Sequence, residues 1–369
     1  MDLKRTGALL GLAALTTVGL AACSDNNANT GDTAAKQVSG AECGGKAALK
    51  ASGSSAQNNA MTVFANSYAV SCEGQTLDYN SNGSGAGVKE FTGGQTDFGG
   101  SDSPLKDAEY VSAEQRCEAP AWNLPAVFGP IAVAYNLEGV DVKLSGATLA
   151  KVFSGEITKW NDPAIAAENE GAQLPDQNIT VIFRSDESGT TDNFQKYLKA
   201  ASDGAWTKDT GKTFNGGVGE GAKGNEGVSA AVAQTPGTIT YTEWSYAKSQ
   251  KLSMVKVITP ADAAGVTLDA KTAGKTIDSA KLKNEGSHDL VIDTSSFYVP
   301  EAAGAYPILM PTYEIVCSQY KDPEAAKAVK AFLNVAVSED VQGELEGEGY
   351  IPVPDAFRNK LTDAIAAIK

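Results

Sequence analysis

Histidine is almost missing from this chain: His288 is the only one in 369 residues. A serine nucleophile would therefore have one distant candidate base, and no Ser-His-Asp set can be assembled around it. Cysteine is sparse, five in all and without a Cys-x-x-Cys pair, so a Cys/His zinc site is excluded. Basic residues are outnumbered, 30 Lys and Arg against 45 Asp and Glu, for a net charge of −15. That balance argues against nucleic acid or an anionic membrane surface as partner, and any anion must be held by local dipoles. No internal repeat of fixed period is visible. Gly211-Lys212-Thr213 ends like a phosphate-binding P-loop, but Trp206 stands where the motif requires glycine, so the motif fails. No cofactor and no metal are expected.

The N-terminus carries the first positive signal. Lys4 and Arg5 precede an apolar stretch, Gly7 to Val18, too short to span a bilayer and suited to the core of a signal peptide. Leu20-Ala21-Ala22-Cys23 has the lipobox pattern, in which the thiol is lipidated and cleavage leaves Cys23 first. The expectation is a signal peptide over 1–22 and export to the outer face of the cell membrane, held there by a lipid anchor. Residues 23–42 are rich in Asn, Thr, Ala, Asp and Gly and read as a flexible tether. The sequons at Asn82 and Asn178 carry no glycan in such a bacterial lipoprotein.

Four cysteines remain: Cys43, Cys72, Cys117 and Cys317. Outside the cytosol an even, widely spaced set reads as two structural disulfides, with three possible pairings. Cys43–Cys72 is favoured because both precede what look like neighbouring parallel strands, which leaves Cys117–Cys317.

From residue 43 onward short strands alternate with helical patterns, the mark of an α/β chain with a largely parallel sheet. Strands are expected near 46–52, 76–80, 96–99, 179–183, 238–241 and 308–317. Helices are expected near 57–70, 86–91, 145–153, 191–200, 226–233, 245–250, 323–337 and 355–368. Residues 260–286 read as a polar, exposed stretch. Leu124 to Tyr135 is a continuous apolar run interrupted by Pro125, Gly129 and Pro130, which suggests a bent crossover. The length fits two lobes: residues 43–128 plus 307–369 form lobe I, residues 129–306 form lobe II, and two crossings make the hinge.

Three segments share one design, a strand followed by a Gly/Ser turn and a helix: residues 51–56, 80–87 and 184–191. Glycine admits a ligand close to the backbone, hydroxyls cap the helix, and its free N–H groups and positive dipole end favour an anion. Arg184 adds a charged fork for oxyanion oxygens. Asp102 narrows the choice. A carboxylate beside an anion is repulsive unless the anion donates a proton. Phosphate near neutral pH can donate one, whereas fully ionised sulfate cannot. Tyr241, Trp244, Trp160 and Trp122 are expected to pack, and His288 to be solvated.

The segments ASGSSAQ (51–57), NGSGAGVKEF (82–91), TDFGGSDSPL (96–105), GEITKWNDPAI (155–165), FRSDESGTT (183–191) and KGNEGV (223–228) run across nearly the whole chain. Together they resemble the substrate-binding lipoprotein of bacterial high-affinity phosphate ABC importers, in the style of high-GC Gram-positive bacteria. The resemblance implies a type II periplasmic-binding-protein fold that closes over desolvated phosphate, a monomer, and partnership with membrane permease subunits. By motif position it implies phosphate contacts from Ser55, the Ala56 amide, Ser84, Asp102, Arg184, Ser188, Gly189 and Thr190, with Asp186 buttressing Arg184; Ser54, in the first Gly/Ser turn, is expected to bind phosphate beside them. Ala56 departs from the larger apolar residue common in relatives. The alternatives are another oxyanion, sulfate or molybdate, which Asp102 disfavours, and a secreted phosphatase using Ser188 or Ser84.

Overall fold

The computed structural model describes residues 35–369. The signal segment, Cys23 and most of the tether lie outside the described residues. Where the description begins, the Lys36 and Val38 amides donate to Ser67 and Ser71, so this last part of the expected tether is docked.

The first part of the chain alternates as the sequence suggests: β1 (Ala48–Gly53), α1 (Asn58–Ser71), β2 (Thr76–Ser81), α2 (Ser84–Thr92) and β3 (Phe98–Ser101). The helix α3 (Asp107–Cys117) follows, then the long strand β4 (Ala121–Tyr135). Next come β5 (Lys143–Ser145), α4 (Gly146–Phe153), α5 (Pro163–Glu168), β6 (Thr180–Arg184) and α6 (Gly189–Ala201). They are followed by β7 (Glu220–Ala222), α7 (Gly224–Gln234), β8 (Thr238–Glu243), α8 (Trp244–Ser249) and β9 (Ser253–Met254).

The expected polar stretch after residue 260 is more structured than its composition suggests. It holds β11 (Asp262–Val266), paired with β10 (Lys256–Thr259), and α9 (Ala270–Ile277). Val266, Leu268, Ala273 and Ile277 are buried there, a sparse apolar stripe that the interleaved Asp, Lys and Thr residues dilute in the composition. A short hairpin, β12 (Lys281–Leu282) and β13 (Ile292–Asp293), and the turn α10 (Ser295–Tyr298) lead to β14 (Leu309–Cys317). The chain closes with α11 (Pro323–Ala336), α12 (Glu339–Gln342), α13 (Leu345–Glu348) and α14 (Asp355–Ala367). No helix among the described residues is long and apolar enough to cross a membrane.

One sheet runs through both halves in the order β2-β1-β3-β14-β4-β8-β6-β7. β1 pairs in parallel with β2 and β3 on one side, and β6 in parallel with β7 and β8 on the other. The two antiparallel strands β14 and β4 join the halves. β4 pairs with β14 over residues 121–130 and with β8 over 131–135. The register slips at Ala126, beside Pro125, where a bulge accommodates a residue that cannot donate to the ladder. All but one of the β4 residues are buried, as a central strand covered on both faces requires.

Disulfides join Cys43 to Cys72 and Cys117 to Cys317, with Cα–Cα distances of 5.4 and 5.5 Å. The first ties the start of the domain to the end of α1. The second joins the last residue of α3 to the last residue of β14.

Candidate functional site

The carboxyl ends of β1, β2, β3 and β6 converge where the two halves of the sheet meet. Each turn there is forced by local chemistry. Gly53 has φ +144°, and a Cβ on it would lie 1.9 Å from the Gly100 carbonyl oxygen, so only glycine permits this packing of β1 on β3. The Ser54 amide then donates to Gly100 (3.0 Å) and the loop turns toward Asp102.

Asp102 is the hub. It is 1% exposed, and one carboxylate oxygen accepts from the Ser54 hydroxyl at 2.5 Å. The other faces the hydroxyls of Ser84 and Thr190, each at 3.4 Å. Its backbone carbonyl accepts from the Asn193 amide (2.7 Å). The local turn is held by Ser101 rather than by Asp102: the Ser101 hydroxyl accepts from the Ser103 amide. Asp102 therefore aims into the cleft and does not cap its own turn. Burial pushes its carboxyl up to about 6. The Ser54 bond, the Arg184 charge and the Ser84 and Thr190 hydroxyls oppose that rise.

Arg184, at the end of β6, is 2% exposed. Its Nε and Nη2 donate to the two Asp186 oxygens at 2.8 and 2.5 Å, a bidentate pair. Nη1 approaches Thr190 at 3.4 Å. Burial works against the guanidinium charge, but the Asp186 bond and charge outweigh it and raise its pKa. Asp186 answers in kind. Burial disfavours its charge, yet Arg184 and the Gly224 amide (3.0 Å) keep it below the usual carboxylate range.

The start of α6 closes the far wall. The Ser188 hydroxyl accepts from the Thr191 amide (3.2 Å) as its cap, and the Ser188 amide donates to the Lys212 carbonyl (2.8 Å). The Gly189 amide donates to Ser84 Oγ at 3.1 Å, across the two halves. Ser84 Oγ also accepts from the Asp102 amide (3.2 Å). Ser54 Oγ accepts from the Ala56 amide (3.0 Å). The structure thus brings together Ser54, Ser55, Ala56, Ser84, Asp102, Arg184, Ser188, Gly189 and Thr190 in one buried network around the Asp102 carboxylate, with the half-buried Asp186 behind Arg184 at its edge.

Sequence reasoning gave no role to Asn225. Its amide N–H and its side-chain Nδ2 both donate to Ser55 Oγ at 3.0 Å, and its side-chain oxygen accepts from the Glu243 amide. The signal was there, an Asn at the first turn of a helix after Lys-Gly, but Asn is too common at helix starts to mark a site. Two phenols were missed as well: Tyr246 donates to the Ser55 carbonyl and Tyr350 to the Ala56 carbonyl. Both bonds fasten the loop that carries the fully buried Ala56. Tyr241 packs on Phe194 with ring centroids 4.6 Å apart, and its hydroxyl also accepts from the Arg184 amide. His288 is exposed, edge-on to Trp122.

Residues 27–340 match the family model described as a PBP superfamily domain. The chain is 56% identical to phosphate-binding protein PstS 3 of Mycobacterium leprae and 54% identical to that of Mycobacterium tuberculosis strain H37Rv, with full coverage of both chains in each case. A solved structure of the high-affinity periplasmic phosphate-binding protein PfluDING, bound with phosphate, shares the fold at a TM-score of 0.71 and 22% identity. That match covers 85% of this chain and 93% of the other. The relatives are named as binding proteins, and the continuous sheet joined by two crossing strands is the two-lobed arrangement of the superfamily. With full-length identity above one half, this chain belongs to the PstS family of phosphate-binding proteins, within the PBP superfamily.

Proposed function

We propose that this chain captures inorganic phosphate between its lobes and delivers it to the permease subunits of an ABC importer. The observation that carries the reading is Asp102, a buried carboxylate set among hydroxyl and amide donors and facing Arg184. Such a pocket favours an oxyanion, and its one acceptor requires that the oxyanion carry a proton. Protonated phosphate meets both demands.

In this reading Ser54, Ser55, Ser84 and Thr190 offer hydroxyls, Ala56 and Gly189 offer amides, and Ser188 shapes the start of α6. Arg184, held rigid by Asp186, supplies the charge. The lobes are residues 43–128 with 307–369, and residues 129–306. The protein acts as a monomer without catalysis, exported and anchored through a lipid on Cys23 after loss of residues 1–22.

Calorimetry on the phosphate-stripped protein tests this. One-to-one phosphate binding should persist in millimolar sulfate. Asp102→Asn exchanges the acceptor for a donor, and should narrow the gap between phosphate and sulfate by about tenfold or more, the scale of a charge-assisted hydrogen bond. Sulfate binding as tight as phosphate in the unaltered protein would sink the role given to Asp102.

A further inference from the structure

The Gly-Lys-Thr segment that failed as a P-loop has another use. Lys212 is 8% exposed, the only lysine among the buried residues of the described chain. Its ammonium donates to Glu109 Oε1 at 2.8 Å. The two residues come from opposite halves of the sheet. Glu109 lies on α3, which follows β3, and Lys212 lies between α6 and β7.

Both partners are held before they meet. The second Glu109 oxygen accepts from the Lys106 amide at the start of α3 (2.8 Å), which fixes its rotamer. The Lys212 carbonyl accepts from the Ser188 amide, directly behind the start of α6. Gln195, buried on α6, donates to the Gly211 and Thr213 carbonyls on either side (2.9 and 3.0 Å). The backbone of this segment is thus clipped to the helix that forms the far wall of the site. A buried ammonium with one carboxylate partner is costly to strand, whereas separating the halves lets both ions hydrate. The pair therefore stabilises only the closed arrangement.

We propose that Lys212 and Glu109 are positioning residues that latch the closed cleft and set how long the anion stays bound. The proposal rests on the phosphate reading above. It predicts an effect on release, because a hydrogen-bonded charge pair with a buried ammonium and a half-buried carboxylate acts mainly on the dissociation rate. The exposed pair across the same cleft, Lys89 with Glu187 (side chains 70% and 47% exposed), supplies the control.

The test is a chase of bound radiolabelled phosphate by excess unlabelled phosphate from the full-length protein in detergent. Lys212→Met and Glu109→Gln should each speed release about tenfold with association changed less than about twofold. Lys89→Met should change release less than about twofold. The exchanged pair, Lys212→Glu with Glu109→Lys, should return release to within about threefold of the unaltered protein, which a merely misfolded variant could not do. Unchanged release in both single variants, or no recovery in the exchanged pair, overturns the latch while leaving phosphate binding intact. If the unaltered protein retains no labelled phosphate, the functional reading falls first and the latch falls with it.

Discussion

At the scale of single residues, two buried carboxylates in the region of the site, Glu243 and Glu314, differ from Asp102 and from the Lys196-paired Asp192 in having no basic partner among the described residues. Glu243 ends β8 and Glu314 lies on β14, and both are fully buried. One oxygen of Glu314 faces Gln57 Nε2 at 3.5 Å, and the other has no partner among the described residues. Tyr79 and Asp102 are the titratable groups that feel it. Burial pushes the Glu314 carboxyl up to about 8, with the Asp102 charge adding to the rise and the Gln57 bond opposing it. The folded value lies above the unfolded one, so the native state holds a proton that the unfolded chain releases. That contribution is complete below the ordinary glutamate range and drains away as pH climbs to about 8. Glu314→Gln keeps the shape and removes the titration. Between pH 5 and 8 the unaltered protein should lose roughly 5 °C more of thermal midpoint than Glu314→Gln. Parallel midpoints across that range would show that Glu314 is ionised throughout.

At the scale of elements, the start of α6 is where closure is most sensitive. A Cβ on Gly189 would lie 2.6 Å from Asp102 Cβ and 2.7 Å from Ser84 Oγ. Gly189 sits in helical backbone, where alanine is locally favourable. Gly189→Ala should therefore leave the ligand-free midpoint within about 3 °C, yet weaken phosphate binding about 100-fold or more, because two packed loops must separate. Calorimetry and thermal melts on one preparation separate the two effects; a large loss of ligand-free stability would move the cause from closure to folding. The elements around the site were legible because each combines a β-rich run, a Gly/Ser turn and an amphipathic helix within about fifteen residues. The helix α3 was not, since only Ala113 and Cys117 of its residues are buried, too few to show a period. The small sheet of β5, β10 and β11 was hidden for another reason: β5 and β10 are three and four residues long and pair over a gap of more than a hundred, so no local pattern announces them. Asn225 belongs to the same class, a common residue whose role appears only when two halves meet.

At the scale of the whole molecule, the chain leaves the first half along β4 and returns along β14, and the second half is built between them. Cys117 and Cys317 close that excursion, spanning 200 residues, whereas Cys43 and Cys72 span only 29. Cross-linking restrains the unfolded chain more when the loop is longer. Chain entropy alone sets the two bonds at about 5 and about 3.6 kcal/mol. The native state adds a local difference. The Arg116 guanidinium lies over Phe91, 4.5 Å from the ring centroid, and donates to the Thr96 carbonyl (2.8 Å) and toward Cys317 Sγ (2.6 Å). Replacing Cys117 and Cys317 by serine would leave two buried hydroxyls beside that stack and add to the loss. The expected outcome in guanidinium denaturation is that the Cys117→Ser, Cys317→Ser pair costs about 1 to 2 kcal/mol more than the Cys43→Ser, Cys72→Ser pair. The reverse order would mean that the short bond acts through the native packing of the first residues on α1, where Lys36 and Val38 are tied. Equal losses would point to an unfolded state compact enough to bring residues 117 and 317 together without the bond.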